Sequence, residues 1–218
     1  IVWLDRRVWA FVQKRQGPNV VGPFGLLQSL ADALKYIFKE IIIPASSNKV
    51  IFILAPIITM TLALIAWAVI PFGENQVLAN INVGILYAFA VVSIGVYGIM
   101  IGGWASNNKF ALLGAIRASS QMISYEIAMG ISVIALVITS GGTLSLREIV
   151  GQQDAGFANI VWQPLGFLIF FVCALAETNR APFDLPECES ELVGGYHTEY
   201  SSMKLGLFLF AEYINMFI

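Results

Sequence analysis

Three carboxylates stand out because of where they sit. Glu126, Glu177 and Glu212 each fall inside, or at the edge of, a long apolar stretch. An ionised side chain at mid-bilayer costs roughly 2.5–3.5 kcal/mol on insertion scales, so such residues need a reason. Burial disfavours the charged form of a carboxyl, and a group held that way can take up and release a proton. A single such Glu is best explained as locked to a basic partner or reaching the interface. Three on the same side, in separate helices, favour a proton path or an aqueous chamber.

The densest polar stretch runs from Ala176 to Ser201 and carries Glu177, Arg180, Asp184, Glu187, Glu189, Glu191 and Glu199. Phe183, Leu185, Leu192, Val193 and Tyr196 alternate with these charges. A plain solvated loop would be poorer in apolar groups, so this loop is expected to pack on a partner or line a cavity. A basic arm near the start holds Asp5, Arg6, Arg7, Lys14 and Arg15. For Arg7 and Lys14, anchoring the topology is a sufficient role. The two cysteines, Cys173 and Cys188, and the one histidine, His197, form no CxxC pair and no metal-ligand cluster. No metal site is therefore expected, nor any redox centre of the chain's own. Electrons would have to come from a neighbour.

The elements that must hold these groups follow from hydropathy. Of the 218 residues, 58% are hydrophobic and 12% charged, where a soluble domain carries about 25% charged. Mean hydropathy is +0.78. Most of the surface must face something apolar, and a net charge of −2 with no basic, aromatic-rich run argues against nucleic acid. The expected fold is all-α: a polytopic transmembrane bundle with an amphipathic helix on the cytoplasmic side. Residues 1–12 read as the end of a first membrane helix and the basic arm. Glycines and prolines from Gly17 to Gly25 break the chain. Residues 26–43 follow, with Leu27, Leu30, Leu34, Ile37, Phe38 and Ile41 on one helical face and Gln28, Asp32, Lys35 and Lys39 opposite. A helix so patterned lies in the membrane interface. Spans are expected at about 50–69, 83–104, 116–139 and 160–177, then an acidic loop over 178–203 and the start of another span at 204–218. Within the second span, Gly98 and Gly102 form a small-xxx-small face for close helix contact. If the spans alternate, eleven of the twelve Lys and Arg residues fall on one side and only Arg147 on the other. The arm, the interfacial helix and the Arg180 loop then face the cytoplasm or matrix. The chain opens at Ile1 and stops at Ile218 within an apolar run, and reads as a fragment of a longer polypeptide forming a single membrane domain.

Three motifs carry a resemblance. Leu4-Asp5-Arg6-Arg7 leads to Gln13-Lys14-Arg15-Gln16-Gly17-Pro18-Asn19 and to Asp32. Gly103-Trp104-Ala105-Ser106-Asn107-Asn108-Lys109 leads to Arg117, Gln121 and Ser124-Tyr125-Glu126. Ala176-Glu177-Thr178-Asn179-Arg180-Ala181-Pro182-Phe183-Asp184-Leu185-Pro186-Glu187 runs on to Glu199-Tyr200-Ser201. In this order and spacing they resemble the family of quinone-site membrane subunits of respiratory NADH:quinone oxidoreductase, complex I, over essentially the whole chain. Two positions depart from the family pattern. Asp5 stands where Glu is usual, and Cys188 where Ala or Gly is usual.

The resemblance implies a translocase subunit without a cofactor of its own, with quinone as substrate. Its implied partners are an iron–sulfur-cluster subunit and a 49-kDa-type subunit at the quinone site, with small membrane subunits alongside. The implied location is the bacterial inner membrane or the mitochondrial inner membrane. Arg6, Arg15 and Asp32 would line the quinone entrance and chamber wall, Arg117 the chamber side, and Arg180, Phe183 and Asp184 the loop beneath the quinone head group. Glu126, Glu177, Glu187 and Glu212 would form an acidic relay, with Glu189, Glu191 and Glu199 as further members. The homologous membrane component of an energy-converting hydrogenase-type complex is the alternative. A stand-alone ion transporter would show an inverted repeat and a helix broken at mid-membrane, and the sequence displays neither.

Overall fold

The computed structural model describes residues 2–73, 76–153, 158–180, 182–184 and 193–218. Among them the chain is built of helices: α1 (Val2–Val12), α2 (Gln28–Phe38), α3 (Lys49–Ala66), α4 (Gly84–Ala105), α5 (Lys109–Thr139), α6 (Leu146–Gly151), α7 (Asn159–Trp162), α8 (Pro164–Glu177) and α9 (Ser202–Asn215). The all-α expectation holds. Three stretches, Lys49–Val69, Gly84–Ala105 and Lys109–Thr139, are long and apolar enough to cross a membrane. The chain is a multi-pass membrane protein.

Three boundaries differ from the hydropathy reading. The third span begins at Lys109, seven residues before 116, because the Asn108 side chain caps the helix by accepting from the Phe110 amide (2.9 Å). The amphipathic helix covers Gln28–Phe38, shorter than 26–43, and Lys39 is already extended. Three consecutive β-branched residues, Ile41 to Ile43, lead there into Pro44, a poor helical run. The expected span over 160–177 is interrupted at Gln163, whose ψ of 62° separates α7 from α8. Pro164 has no amide hydrogen and disfavours helical backbone in the residue before it. The Gln163 side chain bridges the break by donating to Ala135 O (3.1 Å) and Thr139 Oγ1 (2.8 Å) of α5.

The core lies where α3, α4, α5 and α9 meet. Tyr200 stacks on Phe52 with centroids 4.1 Å apart, and Phe208 meets Tyr200 edge-on at 5.0 Å. Ala55, Val96, Ile99, Ala115, Ala118 and Met122 fill in around them. Small residues let the backbones approach. A Cβ on Gly98 would lie 2.2 Å from Thr59 Oγ1, and one on Gly103 would lie 2.4 Å from the Ala115 Cβ. Outside this seam, large side chains such as Ile127, Ile131, Ile134 and Ile138 of α5 stay exposed. That stripe suits lipid or a neighbouring helix.

One contact ties the fold to the site. Gly114 of α5 lies under the backbone of Gly195 and Tyr196, and a Cβ there would meet main-chain atoms at 2.7–2.8 Å. Main chain cannot swing aside as a side chain can. Gly114→Ala is expected to destabilise the folded chain by about 1–3 kcal/mol, the usual cost of overpacking. Gly130→Ala, where a Cβ meets nothing within 4 Å, is expected to be neutral or slightly stabilising. Thermal unfolding of the two detergent-solubilised variants against the parent checks the contrast.

Candidate functional site

The end of α8 sets the site. Asn179 adopts a left-handed backbone (φ 48°), a common way to end a helix. The Asn179 amide donates to Ala176 O (3.3 Å) and the Arg180 amide to Leu175 O (3.2 Å). This turn leaves Glu177 buried and aims Arg180 at a different set of partners. From α5, Gln121 Nε2 reaches Ala176 O (2.9 Å) and Phe183 O (2.9 Å), with Asn179 Oδ1 at 3.3 Å. The Phe183 ring meets Tyr125 edge-on at 5.2 Å. One α5 face therefore pins Ala176, Asn179 and Phe183.

Two polar clusters flank that turn. In the first, Glu177 of α8 is close enough to Glu126 of α5 for their charges to repel, and Ser93 of α4 faces Glu126. Glu126 Oε1, Glu177 Oε2 and Asn215 Oδ1 are buried without a hydrogen-bond partner among the described residues. A cavity of about 20 Å³ touches Thr59, Gly95, Met122, Glu177 and Asn215, room for about one water. In the second cluster, Arg180 pairs with Asp5 of α1 (3.3 Å) and lies over the Tyr213 ring at 4.6 Å. The Tyr213 hydroxyl donates to the same Asp5 oxygen at 3.4 Å. Burial acts to lower the Arg180 pKa, but the Tyr213 hydroxyl and the Asp5 carboxylate outweigh it and raise it, so the guanidinium stays charged. Glu212 also acts on Arg180 electrostatically and accepts a short hydrogen bond from the Tyr196 hydroxyl.

α9 belongs to both clusters. Glu212 and Tyr213 serve the second, and Asn215, on the next turn, serves the first. The other predicted positions are distributed as follows. Arg6 forms an ion pair with Asp32, which also accepts from Gln28 Nε2 (3.0 Å), so these two join α1 to α2. Arg15, Arg117 and Asp184 are exposed. Glu199 accepts from Asn108 Nδ2 (2.6 Å), well along the chain from Glu177, at the loop entering α5. Glu187, Glu189 and Glu191 lie outside the described residues. Sequence reasoning passes over Gln121, Tyr196, Tyr213 and Asn215 as site residues. Phenols and amides in an apolar helix carry little of the cost that flags a carboxylate. The one available signal is spacing, since Tyr213 and Asn215 stand one and three residues after Glu212.

Known proteins similar to this chain agree with one another. The NADH dehydrogenase family matches residues 1–218. The chain is 66% identical over 218 residues to the H-type chain of the NADH-quinone oxidoreductase of Pelagibacter ubique, covering all of this chain and 65% of that protein. It is 66% identical over 225 residues to an H-type chain of the Cytophaga hutchinsonii NADH-quinone oxidoreductase, covering 99% of this chain and 66% of that protein. Against the H-type chain of the Rhodospirillum centenum NADH-quinone oxidoreductase it is 58% identical over 218 residues, covering all of this chain and 64% of that protein. The chain thus spans just under two thirds of the length of these curated relatives.

The pinning by Gln121 makes a measurable prediction. Gln121→Leu keeps the side-chain bulk and removes the side-chain donor from the carbonyls of Ala176 and Phe183, of which Ala176 O keeps the Asn179 amide. Losing an ordinary hydrogen bond costs about 0.5–1.5 kcal/mol. Amide hydrogen exchange over residues 178–184 should therefore quicken, with the α3–α4 seam unchanged. Equal protection of that segment in both proteins would rule the pin out.

Proposed function

The chain belongs to the NADH dehydrogenase family, and from that premise we propose that it forms part of a quinone chamber in a proton-pumping NADH:quinone oxidoreductase and couples quinone reduction to proton translocation. The relatives are named as components of NADH-quinone oxidoreductases, which favours this reading over a hydrogenase-type complex. The observation that carries it is the double cluster at the end of α8. Glu177 is buried beside Glu126, and three residues on Arg180 is committed to Asp5 and Tyr213.

In this proposal the segment of Arg180, Phe183 and Asp184 forms the floor under the quinone head group, with Arg117 on the chamber side and Arg6, Arg15 and Asp32 towards its entrance. Two electrons arrive from an iron–sulfur cluster held by a neighbouring subunit, and with two protons they convert quinone to quinol. Negative charge developing on the quinone draws on Arg180 and competes with Asp5 for it. Two unit charges about 4 Å apart interact by about 4 kcal/mol at an effective dielectric of 20. A redistribution of that size at Arg180 is felt by Glu212 and, across the turn, by Glu177 and Glu126. Those carboxyls then take up or release protons and pass the change along the relay, in which Glu187, Glu189, Glu191 and Glu199 are further proposed members. The chain supplies positioning and proton-carrying groups and binds no cofactor itself. It works beside a 49-kDa-type subunit and small membrane subunits. Its membrane would be the bacterial inner membrane or the mitochondrial counterpart.

Glu177→Gln tests the coupling role. The amide keeps the shape and removes both the exchangeable charge and the repulsion with Glu126, so the complex should assemble. Quinone-dependent proton translocation in membrane vesicles should fall by at least about tenfold, the effect of removing a proton-transfer group. Normal pumping per quinone reduced, in a fully assembled complex, would overturn the reading.

A further inference from the structure

The amphipathic helix α2 presents a physical problem. None of its residues is buried in the chain, and Leu30, Leu34, Ile37 and Phe38 are each at least 45% exposed. These four side chains therefore do not hold it in place, and its apolar contact with α9 is the Tyr36 side chain against Gly206. Polar links at its two ends hold it. At the first, Asp32 pairs with Arg6 of α1. At the second, the opening turn of α9 wraps the carbonyls that a helix end leaves unpaired.

That second end is densely bonded. The Ser202 hydroxyl shares its proton between Tyr36 O (3.0 Å) and Lys39 O (2.7 Å). The Ile42 amide donates to Ser201 Oγ (3.1 Å). Lys204 Nζ donates to Ile42 O (3.1 Å) and stands 4.7 Å above the centre of the Phe52 ring. Ser202 is fully buried and holds a left-handed backbone, φ 57°, a conformation that costs a non-glycine residue free energy. Lys204 is 7% exposed, and no described carboxylate pairs with it. A cation in the first turn of α9 opposes that helix's own dipole, and its ammonium serves instead a carbonyl of the segment that follows α2. Both residues therefore sit at a cost in α9, and the bonds they make hold the end of α2 and the segment that follows it.

We propose that Ser201, Ser202 and Lys204 form a latch that fixes α2 to the bundle, and that Lys204 is thereby a positioning residue for the Arg6–Asp32 pair. The consequence for turnover rests on the quinone reading above; the latch itself does not. The test uses the assembled complex with Lys204→Met and, separately, Ser202→Gly. Glycine relieves the left-handed strain, so a purely structural role predicts a neutral or stabilising change, while a latch predicts a looser α2. Amide hydrogen exchange over residues 28–38 should speed up roughly 10- to 100-fold in Lys204→Met, the scale of a lost charge-assisted hydrogen bond, and measurably in Ser202→Gly, with α4 unchanged. The KM for quinone should rise several-fold, with a smaller change in kcat. Unchanged exchange in both variants overturns the latch. Faster exchange with an unchanged quinone KM leaves the latch standing and counts against α2 as part of the quinone route.

Discussion

Inside a bundle that is mostly lipid-facing, each ionisable group has to be answered by another charge, a dipole or a proton. The way Glu177 is answered governs the rest of the structure. Arg180, three residues on, does not neutralise it, because that guanidinium is taken by Asp5 and Tyr213. Glu177 is left facing a second acid, Glu126, with one buried oxygen on each that no described residue satisfies. In a low-dielectric setting that arrangement is unstable as a pair of full charges. It is the condition under which a small change in the surrounding field alters how many protons a site holds.

α9 makes the two clusters interdependent. Successive residues on a helix project about a third of a turn apart, so Glu212 and Tyr213 reach different neighbours from adjacent positions. Glu212 takes Tyr196, and Tyr213 takes Asp5 and underlies Arg180. Asn215 then borders the cavity beside Glu177. A small rotation or shift of α9 would move all three contacts together. The same helix begins with the residues that hold α2, so the interfacial helix and the buried acids share one rigid support.

Much of this was legible in the residues. The apolar runs are long enough that hydropathy alone finds α3, α4 and α5. The buried acids are conspicuous because charge is expensive there. What hydropathy misses are local backbone decisions. Asn108 starts α5 early through a side-chain cap, Pro164 stops a helix that composition would carry through, and three β-branched residues before a proline shorten α2. Partner identity is harder still. Nothing in the composition near residue 121 announces that one amide will hold the carbonyls of Ala176 and Phe183, because that depends on how two distant helices meet.

The interruption at Gln163–Pro164 also sets a length. The 14 residues of α8 reach about 21 Å at 1.5 Å per residue, against a hydrocarbon slab of about 30 Å. Set across the bilayer, a rod that short would leave at least one tip submerged in the acyl region. The proline at one tip would then act as a ruler for the acid at the other. Adding or deleting a residue between them would raise or sink Glu177 by about 1.5 Å and turn it through about 100°, out of register with its neighbour on α5.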